Sequence, residues 1–592
     1  MKDFFKMLLA SFTGTVIFSL VCFFATIFSV AGIIGLLEEE AGPIVPEQAV
    51  LTIDMSQITI SEQTQEVDIF TLLQEENAPS PIGVLDFAAA INAARFDPAI
   101  KYIFLKPDYV TGGIAQVEEI RKALSDFRMS GKPVISYIEN PTNDGYFLAS
   151  VSDKIYMTPH RGITNTFNGM SAQLIFLKDA LDRLGINVQL IRHGKFKSAG
   201  EMYVRSSSSK ENLEQNEDMV QKLWESRSHE ITVSRDLTWK ELDDMLDNLE
   251  LNEPEDFLEK GLVDELLTID QLHKKMAMLF MTDDYSKVES ISIQDYAMLS
   301  TAGNPEGKNK IAVIYADGEI IDGYEVEGVA ADRFVRIIQD IRKDNDVKAV
   351  VLRVNSPGGS VLASEKIKAQ IDSLRTEVPV IASYGDYAAS GGYWISANCD
   401  YIFANNSTLT GSIGVFSMIP DFKNTVSDKL HVNVTSVNSH KHADMLYMLR
   451  PLDKKETEQM QASVERVYDR FLEIVANGRL KTKEEVDNYA QGRVWSGSQA
   501  ESFGLVDEIG TLEDALAYAA MLVDEGCGLD NIQVVEYPKP VTTADILASM
   551  ITGEELIQIP EPLKSIYSAF KNWNASQSGK IYARLPYTLE IK

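Results

Sequence analysis

The chain has 592 residues, 45% of them hydrophobic and 24% charged, with a formal net charge of −32. That length is more than one hydrophobic core sustains and calls for several domains. The acidic balance excludes a nucleic-acid binder, which needs basic patches, and mainly keeps the protein soluble; the three cysteines, Cys22, Cys399 and Cys527, exclude a disulfide framework.

Leu8 to Leu37 is a run of 30 residues without a charge, and a bilayer needs about 20. Lys2 and Lys6 precede it and Glu38, Glu39 and Glu40 follow, so the N-terminus is expected in the cytoplasm and the rest of the chain outside. The apolar region of a cleaved signal peptide is only about 7–15 residues long, so residues 1–40 read as an uncleaved, single-pass membrane anchor. A polar connector follows, with one strand expected over 49–55. Helical spacing over 84–97, a strand over 101–107, a helix over 114–128 and a strand over 132–138 then alternate. The same order returns as a helix over 334–344, a strand over 348–354, a helix over 361–375 and a strand over 378–384. Long charged helices are expected over 208–234 and 453–480. The Gly- and Asn-rich stretch 300–310 reads as a linker, and 311–320 as the strand that opens the second half.

The two halves are copies. Gly112-Gly113 falls on Gly358-Gly359, Pro133 on Pro379, and Gly145-Tyr146 on Gly392-Tyr393. The sequence GLVDEL at 261–266 returns as GLVDEI at 504–509. The expected domains are therefore the anchor, a first repeat over 41–299, the linker, a second repeat over 311–530 and an extension over 531–592 of unassigned role. Strands alternating with helices predict an α/β fold of stacked β-α-β units.

The copies differ where chemistry would sit. Ser390, in ASGG, falls on Asn143 in the first copy, and Lys197, in KFKSAG, has only an ambiguous counterpart in the second. Gly358-Gly359 lies between a strand and a helix, where backbone N–H groups can hold an oxyanion. Gly391 N–H is a second candidate donor; the plainer readings are a simple turn and a helix-capping serine. A serine nucleophile needs a base, and no histidine stands in a triad motif. A lysine could serve if burial lowered its pKa by about 3 pH units from about 10.4. Lys195 would help as a like charge.

SPGG with YAASGGYW, TLTGSIG at 408–414, KFKSAGE upstream and a duplicated body resemble the signal peptide peptidase A (protease IV) family in its long, two-repeat form. The resemblance covers roughly residues 45–530 and the anchor. It implies tandem spiral repeats like those of Clp protease and crotonase, and a serine peptidase of the bacterial inner membrane with its catalytic body in the periplasm. It implies Ser390 as nucleophile, Lys197 as general base, Ser412 as the residue that orients the lysine, and Gly359 and Gly391 as the oxyanion hole. Hydrophobic peptides, remnant signal peptides above all, would be the substrates. A homotetramer is implied, with neither metal nor organic cofactor.

Lys441 is the rival base, because it aligns with Lys197 at an offset of 244. The flanking His440 and His442 read as part of a surface strand or loop rather than as metal ligands. A crotonase-like enzyme acting on coenzyme A thioesters, or an inactive membrane-tethered scaffold, are the other functional classes. The extracytoplasmic placement and the Ser–Lys pair weigh against the first; labelling of Ser390 by a serine-directed phosphonate would exclude the second.

Overall fold

The computed structural model describes Gly14 and residues 43–65, 79–301, 309–325, 328–523, 532–539 and 581–585. The expected anchor lies outside them except for Gly14, as do residues 302–308 of the expected linker. Among the described residues no helix is long and apolar enough to cross a membrane. From Glu47 onward the chain forms one compact unit.

The protein is mixed α/β, and each repeat builds its own sheet. In the first, Ala49–Asp54 pairs in parallel with Ile100–Lys106 and with Ser290–Ser292. Val134–Ile138, Lys154–Met157 and Glu265–Leu266 continue the sheet, also in parallel. The second sheet repeats that order: Asn309–Asp317 lies between Val347–Ser356 and Ile532–Tyr537, and Val380–Ala389 and Tyr401–Ala404 follow. Within the expected extension, Ile532–Tyr537 takes the place that Ser290–Ser292 holds in the first repeat.

The strands are continuous apolar runs because helices cover both faces of a parallel sheet. Nearly every residue of Val347–Ser356 is buried. The helices Ile114–Arg128 and Val361–Arg375 form over their expected spans. Ser360 caps the second of them by accepting a hydrogen bond from Ala363 N at 3.3 Å.

A third, mixed sheet joins the repeats. Its strands run Val329–Ala330, Ile320–Ile321, Gly358–Ser360, Tyr582–Arg584, Val415–Asp421 and Asn187–His193. The last two pair antiparallel over seven residues, Val415 with His193 through Asp421 with Asn187. This ladder sets a strand of the first repeat directly on the second.

A buried ionic node also ties the repeats. Arg353, fully buried in the second sheet, donates to Glu62 Oε2 at 2.6 Å and to Ser383 Oγ at 3.0 Å, and pairs with Glu119 at 2.8 Å. Despite burial, the Glu119 and Glu62 carboxylates hold its guanidinium above the usual arginine range. Glu119 also accepts from Asn405 Nδ2 at 2.8 Å and Leu512 N at 3.1 Å. Each lone pair and N–H so occupied offsets the large cost of burying these charges.

Candidate active site

Val380–Ala389 runs unbroken to the residue before Ser390, and a short helix, Gly391–Ser396, begins immediately after it. The strand expected over 378–384 thus continues to Ala389, directly before the serine. The chain reverses within Ser390 itself, whose backbone stands at φ 55°, ψ −109°. A non-glycine residue there carries about 1–3 kcal/mol of strain, as at the sharp strand-to-helix turn that exposes a nucleophile. Its hydroxyl makes no capping hydrogen bond to that helix, which removes the plainer reading of this serine.

Lys197 follows the Asn187–His193 strand. Phe196 N donates to Gln491 O at 3.0 Å, and Arg192 Nη1 donates to Lys197 O at 2.8 Å, so the turn is held from both repeats. Gly492, at φ 78°, lets the chain pass the lysine stem: a Cβ there would fall 2.6 Å from Lys197 Cβ. Lys197 is 0% exposed.

The amine is close to three oxygens: Ser390 Oγ at 2.8 Å, Ser412 Oγ at 2.9 Å and Ser412 O at 3.0 Å. Ser412 is itself fixed in the left-handed region, φ 48°, with its N–H donating to Arg493 O at 2.7 Å. Burial alone pushes the Lys197 amine well below the usual lysine range, because a buried ammonium with no carboxylate partner is disfavoured. Lys195, expected to contribute as a like charge, is exposed over the Phe196 ring at 4.8 Å and takes no part. A neutral amine has two N–H donors and one lone pair. With both donors on Ser412, the lone pair is left for the Ser390 hydroxyl, which is the arrangement that proton abstraction requires.

Lys441 stands on the exposed surface, and it is Lys197 that reaches Ser390. Of the histidines beside it, His442 lies 2.8 Å from Glu456 and 3.7 Å from Asp453, but Arg450 donates to both Glu456 oxygens at 2.8 Å and already neutralises that carboxylate.

Gly358 and Gly391 meet closely. A Cβ on Gly358, at φ 97°, would fall 2.6 Å from Gly391 N, and one on Gly391 would fall 3.0 Å from Gly358 Cα. Gly359, the expected oxyanion donor, pairs in register with Ala583. A buried apolar cluster adjoins the serine, in which Met219 and Leu223 of the first repeat pack with Ala389, Leu409, Val494 and Leu585.

Sequence reasoning missed Asp386, four residues before Ser390. Ala115 N of the first repeat donates to its Oδ1 at 2.7 Å. Burial first, and then the Glu62 charge, push its carboxyl up to about 7. It also missed Arg353, although a charge inside the apolar run AVVLRV was a readable signal.

The peptidase family S49 model matches residues 126–282 and 372–525, one segment in each repeat. The chain is 37% identical to Protease 4 of Haemophilus influenzae over 77% of its own length and 76% of that protein's. It is 35% identical to Protease 4 of Salmonella typhi over 82% and 79%. It is 30% identical to the chloroplastic serine protease SPPA of Arabidopsis thaliana over 80% and 70%. With a buried serine and lysine in contact and these matches across both repeats, the chain belongs to peptidase family S49 and is a serine peptidase.

Proposed function

We propose that the protein is a membrane-anchored endopeptidase that degrades cleaved signal peptides and other hydrophobic peptides with a Ser390–Lys197 dyad. The observation that carries this reading is the 2.8 Å contact between Lys197 Nζ and Ser390 Oγ in a fully buried setting. Ser390 Oγ attacks the peptide carbonyl carbon while Lys197 takes the hydroxyl proton. Gly359 and Gly391 N–H groups receive the developing oxyanion. Collapse breaks the C–N bond, and the Lys197 ammonium returns its proton to the leaving amine. Water then repeats the sequence on the acyl-enzyme, with Lys197 again the base. Ser412 keeps the amine aimed at Ser390 throughout.

The apolar side chains clustered beside Ala389 support hydrophobic substrates. Two β-α-β sheets bridged by a mixed sheet support kinship with the Clp protease and crotonase folds. The uncharged 8–37 run supports a single inner-membrane span with the catalytic body in the periplasm. A homotetramer remains part of the proposal through the family resemblance. Labelling by an alkyl fluorophosphonate and digestion of a synthetic signal peptide test the dyad. Wild type and Lys441→Ala are expected to react, and Ser390→Ala and Lys197→Ala to be inert. Full activity in Lys197→Ala would sink the assignment. Membrane fractionation of the whole chain and of a chain lacking residues 1–40 tests the anchor, and light scattering in detergent tests the tetramer.

A further inference from the structure

One strand of the site comes from far away in the sequence. Tyr582–Arg584 runs antiparallel to Gly358–Ser360, with Gly358 opposite Arg584, Gly359 opposite Ala583 and Ser360 opposite Tyr582. Val361 N donates to Ile581 O at 3.2 Å, and Leu585 N donates to Pro357 O at 2.6 Å. Hydrogen-bonded pairs alternate along an antiparallel ladder. Since 361 with 581 and 357 with 585 are such pairs, so is 359 with 583. The Gly359 N–H, one of the two expected oxyanion donors, therefore points at the Ala583 carbonyl.

The other side of the cleft agrees. A Cβ on Gly358 would collide with Ala583 O, and one on Gly391 would lie 3.0 Å from it, so this carbonyl sits between the two glycine segments. Phe416 pairs with Tyr582 from the opposite edge, their rings 6.0 Å apart. Ala583 is fully buried, and Leu585 packs in one apolar cluster with Met219, Leu223, Ala389, Leu409 and Val494. Arg584 pairs with Glu319 at 3.2 Å.

An extended segment sandwiched between two strands, with one carbonyl on an expected oxyanion donor, close to the second, and an apolar side chain packed beside Ala389, is bound as a peptide substrate would be. We infer that residues Ile581–Leu585 are a built-in pseudosubstrate, which holds the peptide cleft closed to external peptides, with Ala583 in the place of the residue whose carbonyl Ser390 attacks. This rests on the Ser390–Lys197 reading. A substrate carbonyl and the Ala583 carbonyl cannot share one set of donors, so binding requires the strand to leave. The buried Ala583 also indicates that the acyl-donor position takes a small side chain.

The test compares the full chain, a chain ending at Gly579 and the full-length variant Ala583→Pro. Proline removes the N–H that pairs with Gly359 O and weakens the strand without shortening the protein. The readouts are the rate of Ser390 labelling by an alkyl fluorophosphonate and kcat/KM for a hydrophobic peptide ester. A cleft closed nine-tenths of the time costs about tenfold in apparent affinity, so both altered forms should react about tenfold faster or more. A synthetic peptide spanning 579–587 should inhibit the shortened chain competitively and the full chain more weakly. Unchanged or slower labelling in Ala583→Pro, together with no inhibition by the peptide, would overturn the inference while Ser390 still labels. Ala583→Pro decides the matter if the shortened chain does not fold. Absence of labelling in every form, with turnover surviving Ser390→Ala, would overturn the dyad as well.

Discussion

The glycine pair and elbow of the first repeat stand where those of the second do, yet they have become a docking site. Asn143 is the first residue of an ordinary helix, capped by Thr142, and its side chain bonds Gly169 O at 2.9 Å and accepts from Gly169 N at 3.1 Å. Its counterpart Ser390 sits one position before its helix, at positive φ, with its hydroxyl on Lys197. Beside Gly113, the first repeat offers Ala115 N–H to an oxygen of Asp386 from the second repeat, and a Cβ on Gly113 would land on that carboxyl group. Beside Gly359, the second repeat offers its N–H to a peptide carbonyl. The same loop geometry, glycines ahead of a helix, thus presents N–H groups to oxygen in both copies. What separates scaffold from active site is which oxygen arrives, and whether the elbow is strained and supplied with a buried amine.

The sharpest way to break this comparison is to remove that amine. Ser390→Ala or Lys197→Ala should lower kcat/KM on a peptide ester by about 10⁴-fold or more, with Lys441→Ala close to wild type. Because Lys197 must be neutral to accept the proton, wild-type kcat/KM should rise with pH and level off well below the usual lysine range, near 10.5. A profile still rising through pH 10 would contradict a desolvated lysine. The unfolded chain keeps this proton up to about pH 10.4, so it binds more protons than the folded chain between the two pKa values. Stability should therefore rise with pH across that window, and Lys197→Met should lose the slope in urea titrations.

The next largest effect concerns the node that holds the repeats together. Arg353→Met leaves Glu62 and Glu119 buried without a cation, and urea unfolding should show a loss of about 3–5 kcal/mol. Asp386→Asn should act in the opposite direction. Its carboxyl holds a proton up to about pH 7 when folded, but only to about 3.9 when unfolded. Stability from this group is present at low pH and lost as pH rises through 7, so the asparagine variant should be the more stable above pH 7, by at most about 4 kcal/mol. Equal stability of the two proteins at pH 8 would show that the carboxyl ionises there at no cost. Smaller still, Ser412→Ala frees one hydrogen bond to the amine and should cost about 10–100-fold in kcat (about 1.4–2.7 kcal/mol), with KM little changed. Last, Asn143→Ser in a Ser390→Ala background should restore no activity, since the first repeat lacks both the strained elbow and the lysine. Any turnover there would show that the first copy kept more than its fold.

Much of this was legible in the sequence. Apolar runs and helical spacing located the opening strands and helices of each repeat, because a parallel sheet buried on both faces demands continuous hydrophobic strands, but not Lys154–Met157, Asn187–His193, Tyr401–Ala404 or Val415–Asp421. Motif chemistry singled out Ser390 and Lys197, since a serine nucleophile without a histidine needs a desolvated base, whereas Ser412 came from the family resemblance alone. Local pattern could not decide between Lys197 and Lys441, because both lie at the same repeat offset and burial is not written in spacing. The ladder between Asn187–His193 and Val415–Asp421 brings Lys197 to Ser390 in the core, whereas Lys441 stands exposed. Nor could pattern assign a role to residues 581–585, a five-residue stretch that pairs with strands more than 160 positions upstream. The sequence determined which residues can do the chemistry; which of them meet, and how far their charge is suppressed, only the tertiary structure decided, because desolvation and contact across repeats belong to the packed chain alone.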